Sequence, residues 1–134
     1  FRANFVKTML TLAKDHSELK IVNDQIGGPT AAADIADACF TIAAAMRDGV
    51  AGGVHHFSGR EDVSWAGFAR EIFEQSGHSP EIIEVPSTAY PRPAPRPLNS
   101  RLDCSTLEAD FGITRPDWRV GLKDVLEELA SQSV

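Results

Sequence analysis

Apolar residues along the chain fall at helical spacing in four stretches and at strand spacing in three. Phe5, Val6, Met9, Leu10, Leu12 and Ala13 share one stripe of a helix, with Asn4 placed as its N-cap and Lys7 and Lys14 facing outward. Leu19-Lys20-Ile21-Val22 is short and β-branched, so it predicts a strand that stops in the turn-rich run Asn23 to Pro29. Thr30 then stands as the cap of a second helix, whose Ile35, Cys39, Ile42 and Met46 repeat every three or four residues among alanines, a pattern that predicts near-complete burial. Gly49 supplies a left-handed stop.

Val54 to Ser58 alternates faces and predicts a second strand. Ser64 caps a third helix with Trp65, Phe68, Ala69, Ile72 and Phe73 on its apolar side and Gly77 at its end. Ile82 to Val85 is another short strand. Ser105-Thr106-Leu107-Glu108 has the form of a capping box for a brief helix closed by Gly112, and a last helix runs from about Gly121 to Ala130 with Leu122, Val125, Leu126 and Leu129 inward. Strands alternating with helices imply a small α/β unit with right-handed crossovers.

At 134 residues and 43% hydrophobic content the chain is one domain's worth of material with a real core to bury. A formal charge of -6 argues against a nucleic-acid backbone as ligand, since that needs clustered cations on one face. Cys39 and Cys104 are far apart and without a second pair, which implies neither a disulfide framework nor a zinc site and fits a reduced, cytoplasmic setting. No apolar run is long enough to span a membrane, and the first residues lack the order of a signal peptide. The chain opens on Phe1 without an initiator Met, which suggests a piece of a longer protein.

Against this background one stretch stands out. Pro86 to Ser105 holds five of the eight prolines, three arginines and the only tyrosine, Tyr90. Prolines at 91, 93, 95 and 97 exclude a helix or a central strand and predict an ordered, extended loop. Arg92, Arg96 and Arg101 make it locally basic, which suits a small anion. Arg96 sits between Pro95 and Pro97, so its planar fork is offered from a restricted backbone; a phosphate clamp and a surface ion pair are equally open readings. The start of the first helix is a possible anion site, although ordinary capping by Asn4 is the favoured reading. His55 and His56 are neighbours on a strand and point to opposite faces, so a structural pair is favoured over a metal site. Trp65 and Trp118 are read as packing residues before stacking platforms. The chain has no G-x-G-x-x-G, since Gly27-Gly28 and Gly52-Gly53 lack that spacing, no Tyr-x-x-x-Lys, and no nucleophile elbow.

Taken in order, NFVKTML (4–10), VNDQIGGPTAAADIADA (22–38), GGVHHFSG (52–59), SWAGFAREIF (64–73), PRPLNSRLDCSTLEADFG (95–112) and PDWRVGL (116–122) resemble the C-terminal part of the dTDP-4-dehydrorhamnose reductases, extended short-chain dehydrogenase/reductases. The most specific pieces are DQ-x-G-x-PT at Asp24 to Thr30 and RP-x-NS-x-LD at Arg96 to Asp103. The resemblance implies that residues 1–134 are a small C-terminal substrate-binding lobe of an extended short-chain reductase, with short strands alternating with helices. It implies a parent enzyme reducing the C4 keto group of dTDP-4-dehydro-6-deoxy-L-mannose to dTDP-L-rhamnose with NADPH or NADH. The cofactor loop and the catalytic Tyr-x-x-x-Lys would lie on an N-terminal Rossmann domain that this chain lacks, so no catalytic, cofactor-binding or metal residue is expected here. By the same resemblance Asn4 and the amides behind it would meet the diphosphate and Arg96 would clamp it. Asn99 would stand near the nucleotide, and Val22 and Gln25 would border the nucleoside. Val54 to Ser58 and the alanine-rich helix would pack on the missing half, leaving an apolar flank open to self-association.

Two other functions compete with this one. A reductase-like chain could serve as a non-catalytic regulatory subunit, or the Pro-Arg loop could be a polyproline-II ligand for an aromatic groove.

Overall fold

A computed structural model describes residues 4–90, 93–94 and 96–132. Its elements, in chain order, are α1 (Phe5–Asp15), β1 (Glu18–Val22), β2 (Ile26–Gly27), α2 (Ala32–Arg47), β3 (Val63–Ser64), α3 (Trp65–Ser76), β4 (Glu81–Val85), β5 (Asn99–Ser100), α4 (Ser105–Phe111) and α5 (Trp118–Ser131). They form the α/β arrangement of short strands alternating with helices that the pattern predicts. Pro91, Arg92 and Pro95 of the Pro-Arg loop lie outside the described residues.

Helices start where a side-chain oxygen can take an amide that has no partner within the helix. Asn4 Oδ1 accepts from the Lys7 amide at 2.9 Å and Ser64 Oγ from the Gly67 amide at 3.0 Å, as their positions predict. Gly77 (φ 72°) and Gly112 (φ 65°) end α3 and α4 in the left-handed region. Three expectations are corrected. Thr30 does not cap α2: its hydroxyl donates to the Gly28 carbonyl and accepts from the Gly59 amide, and Ala31 takes the cap position without a side-chain bond. Ser105 is already inside α4, so it cannot form a capping box, and Asp103 Oδ1 accepts from the Ser105 amide at 2.9 Å instead. Asp117 caps α5 through the Arg119 amide at 3.0 Å, which starts that helix three residues before Gly121.

β1 and β4 pair in parallel, from Glu18 opposite Glu81 to Val22 opposite Val85. In a second sheet β2 lies between β3, antiparallel, and β5, parallel. The core sits under α3, where Ala66, Ala69 and Ile72 are completely buried against Met9 of α1, Leu19 and Ile21 of β1, and Trp118 and Leu122 of α5. Phe68 bridges the layers, stacked on Phe5 at 5.5 Å and edge-on to Trp118 at 5.3 Å. Trp118 is thus the packing residue its setting predicts, with its indole N–H donated to the Glu61 carbonyl at 2.7 Å.

Two further expectations fail for one reason, the absence of a neighbour. Val54 to Ser58 forms no strand, because no strand among the described residues lies beside it; Val54 is 89% exposed. The segment is held by side chains: His55 lies edge-on to Phe111 and within 3.3 Å of the Thr106 hydroxyl, and the Arg115 guanidinium donates to the Ser58 and Gly59 carbonyls. The α2 helix is not nearly buried either. Only Ala38 is buried, while Ile35, Cys39 and Met46 are exposed and Phe40 is 77% exposed on another side. No helix among the described residues is long and apolar enough to cross a membrane.

Gly28 and Gly59 are required by a backbone crossing, whereas Gly27 is not. A Cβ on Gly28 would lie 2.5 Å from the Gly59 carbonyl oxygen, and one on Gly59 would lie 2.2 Å from the Pro29 carbonyl oxygen and 2.9 Å from Trp118 Cβ. Neither neighbour can move without displacing a main chain. Gly59→Ala should therefore destabilise the chain by about 1–3 kcal/mol, whereas Gly27→Ala, whose Cβ meets only an ordinary 3.5 Å contact with Ser100, should cost less than about 1 kcal/mol. Urea unfolding midpoints of the two variants check this.

Candidate nucleotide-sugar site

Parallel strands deliver their carboxyl ends to the same edge, and ligand clefts of α/β sheets form there. β1 ends at Val22 and β4 at Val85, so Asn23-Asp24-Gln25 and Pro86-Ser87 emerge side by side. They are laced together. Asp24 accepts from the Ser87 hydroxyl at 2.6 Å and from the Ser87 amide at 2.9 and 3.0 Å, and Gln25 Nε2 reaches Ser87 Oγ at 2.7 Å. The Ser87 hydroxyl first, and its amide second, hold the Asp24 carboxyl below the ordinary carboxylate range. With a folded pKa below the unfolded one, this lacing is complete above the ordinary aspartate pKa and lost as pH falls through the lowered value. Farther along, the Tyr90 hydroxyl donates to the Lys20 carbonyl at 3.4 Å.

Two adjoining cavities open here, of about 360 and 340 Å³, each within the range that holds small ligands. Gln25, Trp65 and Arg96 line both and stand at their junction. The larger cavity is walled mainly by apolar or uncharged groups, among them Gly27, Pro29, Val63, Phe68 and Pro97. The smaller one has Thr8, Lys20, Ser87 and Tyr90 beside Phe5, Met9 and Val22. Trp65 is 39% exposed, and Phe5 packs against it at 4.6 Å with the rings tilted by 54°. A fixed aromatic surface and two cations, Lys20 and Arg96, can therefore take a ligand that is flat at one end and anionic at the other.

Arg96 is exposed and makes no ion pair among the described residues, so the surface-pair reading of this residue is not what forms. Its neighbour Arg101 behaves otherwise, lying 3.6 Å from Asp62 and donating to Asn99 Oδ1 at 3.3 Å. Of the residues singled out from sequence, Val22, Gln25 and Arg96 come together at this cleft. Asn4 and Asn99 do not line either cavity. Asn4 Oδ1 is committed to capping α1, whose Phe5 and Thr8 do reach the smaller cavity. Asn99 lies in β5 opposite Ile26, and its Oδ1 accepts from the Arg101 amide at 3.1 Å as well as from the guanidinium.

Trp65, Lys20, Ser87 and Tyr90 were not singled out as site residues. A tryptophan placed directly after the capping Ser64 was the available signal for Trp65, since the first residue of a helix is less enclosed than its middle. Among the described residues no group of His, Cys, Asp and Glu could hold a metal ion. Among the described residues no glycine-rich turn leads from a strand into a helix: Gly27 lies in β2, Gly28 is pressed on the Gly59 carbonyl, and Gly52-Gly53 lies in an irregular loop.

The family model of the RmlD substrate binding domain matches residues 1–131. A dTDP-4-dehydrorhamnose reductase of Sinorhizobium fredii is 44% identical over 122 residues, which cover 86% of this chain and 41% of that protein. Among solved structures, a dTDP-4-dehydrorhamnose reductase of Clostridium acetobutylicum superposes with a TM-score of 0.89 at 35% identity, covering 96% of this chain and 45% of that one. Another, from Bacillus anthracis in complex with NADP, does so with a TM-score of 0.83 at 30% identity, covering 96% and 44%. The chain thus spans less than half the length of each of these relatives. Matched almost from end to end, the chain belongs to the RmlD substrate-binding domain family of the dTDP-4-dehydrorhamnose reductases, within the extended short-chain dehydrogenase/reductases.

Proposed function

We propose that residues 1–134 are the nucleotide-sugar-binding part of a nicotinamide-dependent reductase that converts dTDP-4-dehydro-6-deoxy-L-mannose to dTDP-L-rhamnose in the cytoplasm. The observation that carries this reading is Arg96, a guanidinium without a carboxylate partner among the described residues, standing with Trp65 where an apolar cavity meets a polar one. Arg96 holds the diphosphate, Lys20 adds a second cation, and Trp65 offers its face to the base. Val22 walls the smaller cavity. Asn4 acts by capping α1, whose first turn faces that cavity, and Asn99 acts by bracing the loop through Arg101. Hydride delivery belongs to NADPH or NADH, held in this reading by the other half of the full-length protein, and no residue of this chain is given a step of the reduction.

The exposed flank of α2 is in this reading a docking face for the cofactor-binding half of the full-length protein. Alone, the chain should self-associate through it, and a concentration-independent monomer in sedimentation velocity would contradict that. The purified chain should show no NADPH oxidation with the dTDP-4-keto sugar; robust turnover would overturn the assignment of chemistry to the other half.

In the full-length enzyme, Arg96→Ala should weaken nucleotide-sugar binding about ten- to a hundredfold, since a charge-assisted contact contributes roughly 1.5–3 kcal/mol. Arg96→Lys keeps the charge but not the fork and should recover only part of the loss. The change should appear in KM with kcat and cofactor affinity little altered. Arg92→Ala on the same loop is the control: equal, small effects of the two alanine variants in calorimetric titration with dTDP would reduce Arg96 to a surface charge.

A further inference from the structure

A serine hydroxyl has one proton, and Ser87 is asked for it by one neighbour only. Its Oγ lies 2.6 Å from Asp24 Oδ1 and 2.7 Å from the amide nitrogen of Gln25. A carboxylate can only accept, so the Ser87 proton is committed to Asp24. That leaves Ser87 Oγ as an acceptor toward Gln25, and Gln25 must present its Nε2 there. A flipped amide would set two lone pairs against each other, so the network fixes which way Gln25 points. The Asp24 carboxyl is held below the ordinary range, which keeps it ionised and the relay in force at neutral pH. Gln25 is half-buried and lines both cavities, and its Oε1 accepts no hydrogen bond among the described residues.

We propose, building on the nucleotide-sugar reading above, that Gln25 selects the base: its fixed Oε1 accepts the N3–H of thymine or uracil and rejects cytosine, with Asp24 and Ser87 as positioning residues that set the amide's polarity. Cytosine presents a lone pair at N3, so an acceptor aligned on that atom is repelled, and its N4 amine lies to one side of the alignment. Trp65, Phe68 and Val63 wall the adjoining cavity with apolar surface, which suits the flat ring and the C5 methyl group. A partly buried site built to receive an N–H discriminates strongly against an analogue lacking it, because its own polar atom is then left unpaired.

The test is calorimetric titration of the full-length protein with dTDP and with dCDP. The unsubstituted protein should prefer dTDP roughly ten- to a hundredfold. Asp24→Ala releases the Ser87 proton so that it can be given to Gln25 Oε1, and Ser87→Ala removes the relay altogether. Either should bring the two affinities to within about threefold, while Ser87→Thr, which keeps a hydroxyl, should retain the preference. A purely structural role would weaken both nucleotides alike and leave their ratio unchanged. Equal affinities in the unsubstituted protein, or a ratio that survives both alanine variants, overturns the assignment to Gln25 and leaves the nucleotide-sugar site standing. Should Asp24→Ala fail to fold, Ser87→Ala decides. If neither nucleotide binds the unsubstituted protein, the nucleotide-sugar reading itself falls and this one with it.

Discussion

The parallel pairing of β1 with β4 is the constraint on which the rest of the molecule depends. Two strands that run the same way cannot be joined by a tight turn, so the chain from Asn23 to Pro80 must cross over before it returns. That crossover contains α2, the 52–62 loop and α3, and α3 with Ala66, Ala69 and Ile72 fully buried is the layer that covers the pair. The same constraint creates the cleft. Because both strands finish at one edge, Asp24 and Ser87 meet there although they are 63 residues apart in sequence. With only two strands to hold that edge together, side chains supply what a wider sheet would supply with ladder bonds.

What could be read from the sequence was what is decided locally. Asn4 and Ser64 cap helices, and Gly77 and Gly112 end them, because a cap needs only its own side chain and the next turn. Thr30 and Ser105 do not cap because capping also depends on where the chain enters the helix: Thr30 is drawn to Gly28 and Gly59, and the local bond from the Ser105 amide to Asp103 places Ser105 inside α4. Val54 to Ser58 and the apolar positions of α2 have the right periodicity, but a strand needs a partner and a helix face needs a cover. At the site, Arg96 was legible from its prolines, and Gln25 from the Asp-Gln pair of the family's motif. Lys20, Trp65 and Tyr90 were not, because each matters only through the approach of α3 and the Pro86 to Tyr90 turn to the end of β1.

A chain of formal charge -6 offers Arg96 no shortage of carboxylates, and Arg101, farther along the same stretch, has Asp62 close by. An exposed ion pair stabilises a fold by about 0–1 kcal/mol, so forgoing one costs little. A charge-assisted bond to a ligand contributes about twice as much or more. An arginine without a carboxylate partner at a cleft mouth is therefore cheap in the folded chain and useful when an anion arrives. Pairing β5 with β2 keeps the loop near that mouth, since Ile26 donates to the Leu98 carbonyl at 2.9 Å just two residues beyond Arg96.

Rigidity at the larger cavity has its own source, in backbone contact. Its floor includes Gly28 and Pro29, whose main chain lies so close to Gly59 that neither glycine admits a Cβ. Gly59 is in turn pressed on Trp118, and its carbonyl accepts from Arg115, which also holds Asp62 at 2.5 Å. Trp118 is buried against Phe68, a residue lining the same cavity. The floor and one wall thus share a single buried aromatic, so neither can shift without the other. A cavity tied to the core in this way keeps its shape before a ligand arrives, and less of the binding free energy is then lost to ordering it.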